Sequence, residues 1–244
     1  MEPAELAISD YERVVGPQAI EELRDLAESL RGKRVIHINA TPVGGGVAEI
    51  LKSEIPLLRS LGIDAEWWAL EATDEFFAIT KRMHNGLQSA DVGFSEADWK
   101  IYHDQQEINA RDLPEADLVV VHDPQPMAIA GFSSGKADAW IWRLHVDSSR
   151  PNAELWSHLS PQLEPYALAV FTLDQFAPPD VRPEMRRFVA PAIDPSRART
   201  GRFRFRKRWN ESTRSGSTPI ARCFHRSRGS ISGRTRGGSS TPTG

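Results

Sequence analysis

Short β-branched runs alternate with stretches of helical apolar spacing through the first two hundred residues of this chain. Asp10 can cap an opening amphipathic stretch, and Pro17 suits the first turn of a helix running to about Arg31. Arg34 to Ala40 (RVIHINA) reads as a buried strand. After Gly44-Gly45-Gly46, the residues Val47, Ile50, Leu51, Ile55, Leu58 and Leu61 recur at the spacing of one helix face. Ala65 to Leu70 predicts a second strand. Asp74 caps a helix through about Leu87, and Ser95 with Asp98 forms a capping box for the next. Further strands are expected over Leu118–His122, Trp140–His145 and Ala167–Phe171. Strands alternating with helices predict an α/β fold with a doubly wound, mostly parallel sheet.

Composition narrows this only slightly. The 244 residues are 40% hydrophobic and 26% charged, as in an ordinary globular chain. No apolar run is long enough for a membrane-spanning helix. The acidic N-terminus lacks the apolar core of a secretory signal, and one cysteine, Cys223, excludes a disulfide framework or a cysteine-rich metal site. A cytoplasmic location is expected. Charge changes the picture more. From Gly201 onward, ten Arg and one Lys face a single acid, Glu211, a balance of +10. The preceding residues carry the remaining 19 bases against 32 acids, a balance of −13. Two different kinds of sequence are joined.

In a parallel sheet, ligands bind at the carboxyl ends of strands, and polar residues collect there three times. Gly44, Gly45 and Gly46 follow the first strand and open a helix, so backbone N–H groups and the positive end of the helix dipole can face phosphate or sugar oxygens. A tight strand–helix turn is the plainer alternative. His122-Asp123-Pro124-Gln125-Pro126 follows the third strand, with two prolines stiffening a rim that carries His122, Asp123 and Gln125. Asp123 as a simple helix cap is the alternative there. Arg143, His145 and Asp147 alternate, which on a strand places them on one face; they could bind a sugar phosphate or form an ion-pair row.

The stretches VIHINATPVGGGVAEIL, TDEFFAITKRMHNGLQ, VVVHDPQP and WRLHVDSSRPN resemble the trehalose glycosyltransferring synthases, retaining members of the family 4 glycosyltransferases. Retaining trehalose phosphorylases are close to these and stay open as an alternative. The resemblance covers about residues 10 to 195. It implies the N-terminal, acceptor-side, Rossmann-like domain of the two-domain GT-B arrangement, with the active site in the cleft between domains. It also implies transfer from a nucleoside-diphosphate glucose to free glucose, without metal or cofactor. Small sugars and the sugar nucleotide are then the partners, with a homodimeric parent enzyme compatible and no membrane or nucleic acid expected. By motif, Gly44, Gly45 and Gly46 would lie beneath the donor phosphates. Asp123 and His145 would line the acceptor–donor junction, with Arg143 and Asp147 on neighbouring hydroxyls and His122 and Gln125 beside them. Glu71, Glu75 and Asn85 would belong to the acceptor pocket. The donor phosphate takes the acceptor proton in such a transfer, so no protein nucleophile is implied.

Residues 196–244 match nothing in that family. They read as a basic nucleic-acid arm, a solvated linker, or the gene continued out of frame. Shifting the frame turns the first two bases of each codon into the last two of another. Arg226 to Arg236 then permits Gln-Val-Ser-Arg-Phe-Asp-Leu-Trp-Lys-Asp-Pro, resembling the opening of the family's second domain. The slip falls just after Asp194-Pro195. The expectation is a domain over 1–195, followed by a disordered out-of-frame tail, with the donor-diphosphate half missing and the chain inactive alone. A non-catalytic module whose tail contacts nucleic acid is the alternative from another class.

Overall fold

The computed structural model describes residues 8–192 and 194. Every described residue belongs to one compact unit. The tail reading therefore lies outside the described residues, as does the domain boundary drawn after 195.

Two short helices, α1 (Ile8–Val15) and α2 (Pro17–Ala27), precede β1 (Arg34–Asn39). Then follow α3 (Gly46–Ser60), β2 (Asp64–Ala69), α4 (Asp74–Leu87), α5 (Glu96–Asp112), β3 (Ala116–His122), α6 (Ile129–Phe132) and β4 (Ala137–Arg143). The last elements are α7 (Ala153–Leu159), β5 (Leu168–Phe171) and β6 (Arg186–Phe188). All strand pairs are parallel, in the order β2-β1-β3-β4-β5-β6. This is a Rossmann-like α/β sheet, as the alternating pattern predicts.

Local signals explain most boundaries. Ser95 and Asp98 form the predicted capping box, each side chain accepting from the other's backbone N–H. Before α4, however, the cap is Thr73, whose Oγ1 accepts from Phe76 N at 3.2 Å; Asp74 is the first helical residue. A β-region backbone at Thr73 lets its hydroxyl reach back over the first turn. The opening helix, predicted to run unbroken from Pro17 to Arg31, ends at Ala27 in a 3-10 turn over Glu28–Leu30. Strand β4 ends at Arg143, two residues before the predicted end, although Leu144 N still donates to Val170 O of β5 at 2.9 Å. Strand β6 has three residues, two of them arginine, and carries no β-branched signal.

The parity of the strands divides the core. Ile36, Ile38, Val119, Val121, Trp140 and Trp142 join one buried cluster with Phe76, Met83 and Leu87 of α4 and Tyr102 of α5. Burying each such side chain contributes about 1.5–3 kcal/mol before entropy is counted. The opposite parity carries His37, Val120, His122, Ile141 and Arg143 in register across β1, β3 and β4. Three of those five residues are ionisable, and all three are buried. Helix α3 packs on β1 and β2. Among the described residues no helix is long and apolar enough to cross a membrane.

Candidate active site

Strand order reverses between β1, whose next strand β2 lies on one side, and β3 on its other side. Such a reversal opens a crevice beyond the carboxyl ends of the strands. The glycine turn leaves β1 there, His122 and Asp123 end β3, and Arg143 and His145 follow from β4.

The turn after β1 is built by its own side chains. Trp67 Nε1 donates to Asn39 Oδ1 at 2.7 Å, and Asn39 Nδ2 donates to the Thr41 carbonyl at 2.8 Å. Gly44 and Gly45 have φ of 74° and 80°, conformations a side chain would strain, and a Cβ on either would meet open space. The requirement is conformational rather than steric. Gly46 starts α3, and no side chain caps that helix, so its first N–H groups have no side-chain acceptor.

The loop after β3 is clamped from below. Tyr102 Oη donates to Pro124 O at 2.9 Å and accepts from Ala128 N at 3.2 Å. Gln106 Nε2 donates to Gln125 O at 2.6 Å, and Tyr166 Oη donates to Met127 O at 2.5 Å. The buried phenols and the amide satisfy carbonyls that would otherwise be orphaned, so the loop has one conformation. Within it Asp123 sits at φ 64°, a left-handed conformation uncommon for aspartate, which stores strain of about 1–2 kcal/mol. Three bonds hold it there. Asp123 N donates to Arg143 O at 2.9 Å, its carbonyl accepts from Trp142 Nε1 at 3.0 Å, and Oδ1 accepts from His145 N at 2.9 Å. Burial raises the Asp123 carboxyl to about 6, opposed by the His145 backbone N–H and by Arg143.

Three imidazoles cross the sheet beneath this rim. His37 Nδ1 lies 3.1 Å from His122 Nε2, and His122 Nδ1 lies 3.0 Å from His145 Nε2. The rings are stacked, with both centroid separations 5.3 Å. Burial lowers His37 to about 4; burial and then Arg143 lower His145 to about 4. His122 is pushed well below its ordinary value by burial, then by its two neighbours and Arg143. All three are neutral near pH 7. Among the described residues no group of three or more His, Cys, Asp or Glu could hold a metal ion.

Of the residues singled out in the sequence, His122, Asp123, Arg143 and His145 are joined by hydrogen bonds or strand register, and Gly44, Gly45 and Gly46 follow the neighbouring strand β1. His122 is buried, with both ring nitrogens engaged. The Arg143 guanidinium is also buried and donates to two backbone carbonyls, Phe171 O at 3.2 Å and Val189 O at 2.5 Å. Gln125 is half-buried, and its backbone is the anchored part. Asp147 lies beyond the end of β4 rather than in a strand row with Arg143, is exposed, and accepts from Ser149 N at 2.9 Å. Glu71, Glu75 and Asn85 are exposed. Glu75 and Asn85 stand near opposite ends of α4, about 15 Å apart along its axis at 1.5 Å per residue, so they do not converge. Glu71 borders a cleft of about 230 Å³ with Trp67, Trp68 and Asn109.

Two residues at the site escaped the sequence reading. His37 is the single imidazole of β1, flanked by the buried Ile36 and Ile38. Glu54 lies on α3 within the apolar stripe of Ile50, Leu51, Ile55 and Leu58, and its carboxyl feels Arg143. Burial raises Glu54, opposed by that guanidinium. An ionisable residue interrupting an apolar face was the available signal in both cases.

Residues 37–178 match the family model described as the trehalose synthase N-terminal domain. The chain is 41% identical over 199 residues to trehalose synthase from Rubrobacter xylanophilus, covering 79% of this chain and 48% of that protein. Trehalose synthases from Thermococcus litoralis and Pyrococcus horikoshii are 40% and 39% identical over 191 residues, covering 77% of this chain and 46% of each. The chain thus spans about half the length of the relatives it matches. A crystal structure of alpha,alpha-trehalose 6-phosphate synthase from Burkholderia multivorans aligns with 58% of this chain and 41% of that one. At 15% identity and a TM-score of 0.40 it adds nothing to the assignment. The family match runs from His37 through β5 and includes the glycine turn, the clamped loop and His145, so this chain belongs to the trehalose synthase N-terminal domain family.

Proposed function

We propose that the chain is the acceptor-side half of a retaining, trehalose-forming glycosyltransferase that joins glucose from a nucleoside-diphosphate glucose to free glucose. The observation that carries this is Asp123, strained at φ 64° with its carboxylate bonded to the His145 backbone on the rim of the glycine turn. Strain of this kind persists where the surroundings over-determine it, and it clusters at sites of chemistry.

In this reading the glycine turn and the N-terminus of α3 receive donor oxygens. Asp123, above its apparent value at neutral pH and so largely ionised, accepts from a sugar hydroxyl. His145, neutral, makes a polar contact at the junction without adding a charge that would repel the forming oxocarbenium ion. His122 and Arg143 hold this framework from below, and Gln125 and Asp147 flank it. The acceptor proton goes to the departing phosphate oxygen, so alignment accounts for most of the rate gain. No resident cofactor takes part, and the sugar nucleotide is a substrate. The enzyme works in the cytoplasm, and leaving-group binding belongs to a second domain.

A coupled assay for trehalose tests this on residues 1–244 and on a chain returned to frame after Pro195 and extended through the downstream gene. The short chain is expected to make no detectable trehalose, and the extended one to turn over with nucleotide glucose. Turnover with glucose 1-phosphate and free glucose, but not with nucleotide glucose, would replace the synthase reading by a phosphorylase that releases phosphate. Robust synthesis by the short chain would overturn the two-domain mechanism.

A further inference from the structure

The three linked imidazoles carry a constraint that their separate positions do not. We infer that His37, His122 and His145 form one tautomeric unit, in which His37 and His122 are positioning residues that set whether Nδ1 of His145 presents a donor or an acceptor to the sugar site. The role at the sugar site rests on the glycosyltransferase reading above; the coupling among the rings does not.

The argument is one of proton counting. Each neutral imidazole has one N–H and one bare nitrogen. Two contacts join the rings, and both run from an Nδ1 to an Nε2. If His37 carries its proton on Nδ1, it donates to Nε2 of His122. That nitrogen is then bare, so His122 is protonated on Nδ1 and donates to Nε2 of His145, which must also be protonated on Nδ1. If instead His145 carries its proton on Nε2, the same steps run backward and all three rings are Nε2–H. Any mixed set opposes two lone pairs or collides two N–H groups at 3.0–3.1 Å, at contacts that are buried between His37 and His122 and half-buried between His122 and His145. Two sets therefore survive, all-Nδ1 and all-Nε2. Passing between them takes one proton in at one end of the row and one out at the other.

A protonated ring would break this rule, since an imidazolium donates from both nitrogens. The surroundings oppose it. His37 and His122 are buried and His145 is half-buried, and the Arg143 charge further disfavours protonation of His122 and His145. Asp123 is bonded to the His145 backbone rather than to its ring. Among the described residues Nδ1 of His145 and Nε2 of His37 make no hydrogen bond, so the two ends of the row are where a ligand or water can choose the set. The side of the ring that faces a sugar is thus coupled to a histidine two strands away.

Nitrogen-15 NMR of the 244-residue chain with labelled histidine tests this directly near pH 7, because the two ring nitrogens report the tautomer of each residue. The three rings are expected to show equal tautomer populations. His122→Phe breaks the row, and the populations at His37 and His145 should then diverge. Unequal populations in the unsubstituted chain would overturn the inference even if His122→Phe fails to fold. In the extended enzyme, His37→Leu should lower kcat by about tenfold with KM changed less than about twofold, the scale of losing a partner that orients a histidine. His37→Asn, which keeps a polar atom where Nδ1 stands, should recover most of it. Equal populations with no trehalose synthesis by the extended enzyme would sink the glycosyltransferase reading and support the coupling; unequal populations in an active enzyme would sink the coupling alone.

Discussion

His37→Asn should make the protein less sensitive to acid. In the folded chain His37 titrates at about 4, against an ordinary 6.5, because burial penalises its charged form. As pH falls below 6.5 the unfolded chain takes up a proton that the folded chain refuses, so stability declines until about pH 4 and then levels. Between about pH 7 and about pH 4.5 this group alone costs about 2.5 kcal/mol by linkage. Asp123 works with the opposite sign. Its carboxyl is raised from 3.8 to about 6, so the folded chain binds a proton first and gains stability, by about 2 kcal/mol over the same interval. His145, also lowered to about 4, adds to the loss. The unsubstituted site is therefore a net liability in acid. Asparagine at 37 keeps a partner for His122 but does not titrate, so its loss on acidification should be smaller by about 2.5 kcal/mol. Urea unfolding followed by tryptophan fluorescence at the two pH values measures this, since groups that do not interact with position 37 cancel in the comparison. An equal loss in both proteins would refute the assignment of His37 as a buried, neutral group.

Other consequences follow from single positions. Gly86→Ala should destabilise the fold by about 1–3 kcal/mol in thermal or urea melts, because its Cβ would lie 2.6 Å from both Leu155 Cδ2 and Val92 Cγ2. Gly45→Ala should cost about 1 kcal/mol through backbone strain at φ 80°, with no steric clash, and a stability change indistinguishable from zero would show that the turn relaxes. In the extended enzyme His145→Ala and Asp123→Asn should each lower turnover by roughly 10²-fold, whereas Glu66→Ala, which removes a half-exposed partner of Arg34 on the edge strand, should leave it nearly unchanged. Unaltered kinetics in His145→Ala would make the rim structural.

Local chemistry by itself determined much of this protein. The β-branched runs at Arg34 and Leu118, the capping box of Ser95 with Asp98, and the apolar stripe from Val47 to Leu61 act within a few residues, so they can be read along the chain. The positions of the candidate residues were legible for a related reason, since the carboxyl ends of strands in a parallel sheet are where ligands bind, and Gly44 and Asp123 lie in the connections after β1 and β3. What tertiary structure decided was which of these residues meet one another. Arg143, His145 and Asp147 alternate in sequence, yet β4 ends at Arg143, whose guanidinium reaches carbonyls 28 and 46 residues away. Glu75 and Asn85 share one motif but lie at opposite ends of a helix, because α4 fixes their separation along its axis. The histidine row is the strongest case. His37, His122 and His145 are separated by 85 and 23 residues, and only the parallel pairing that sets β1, β3 and β4 side by side brings their rings into one line. Strand order is a long-range choice made by burial of the whole sheet, and no local pattern encodes it.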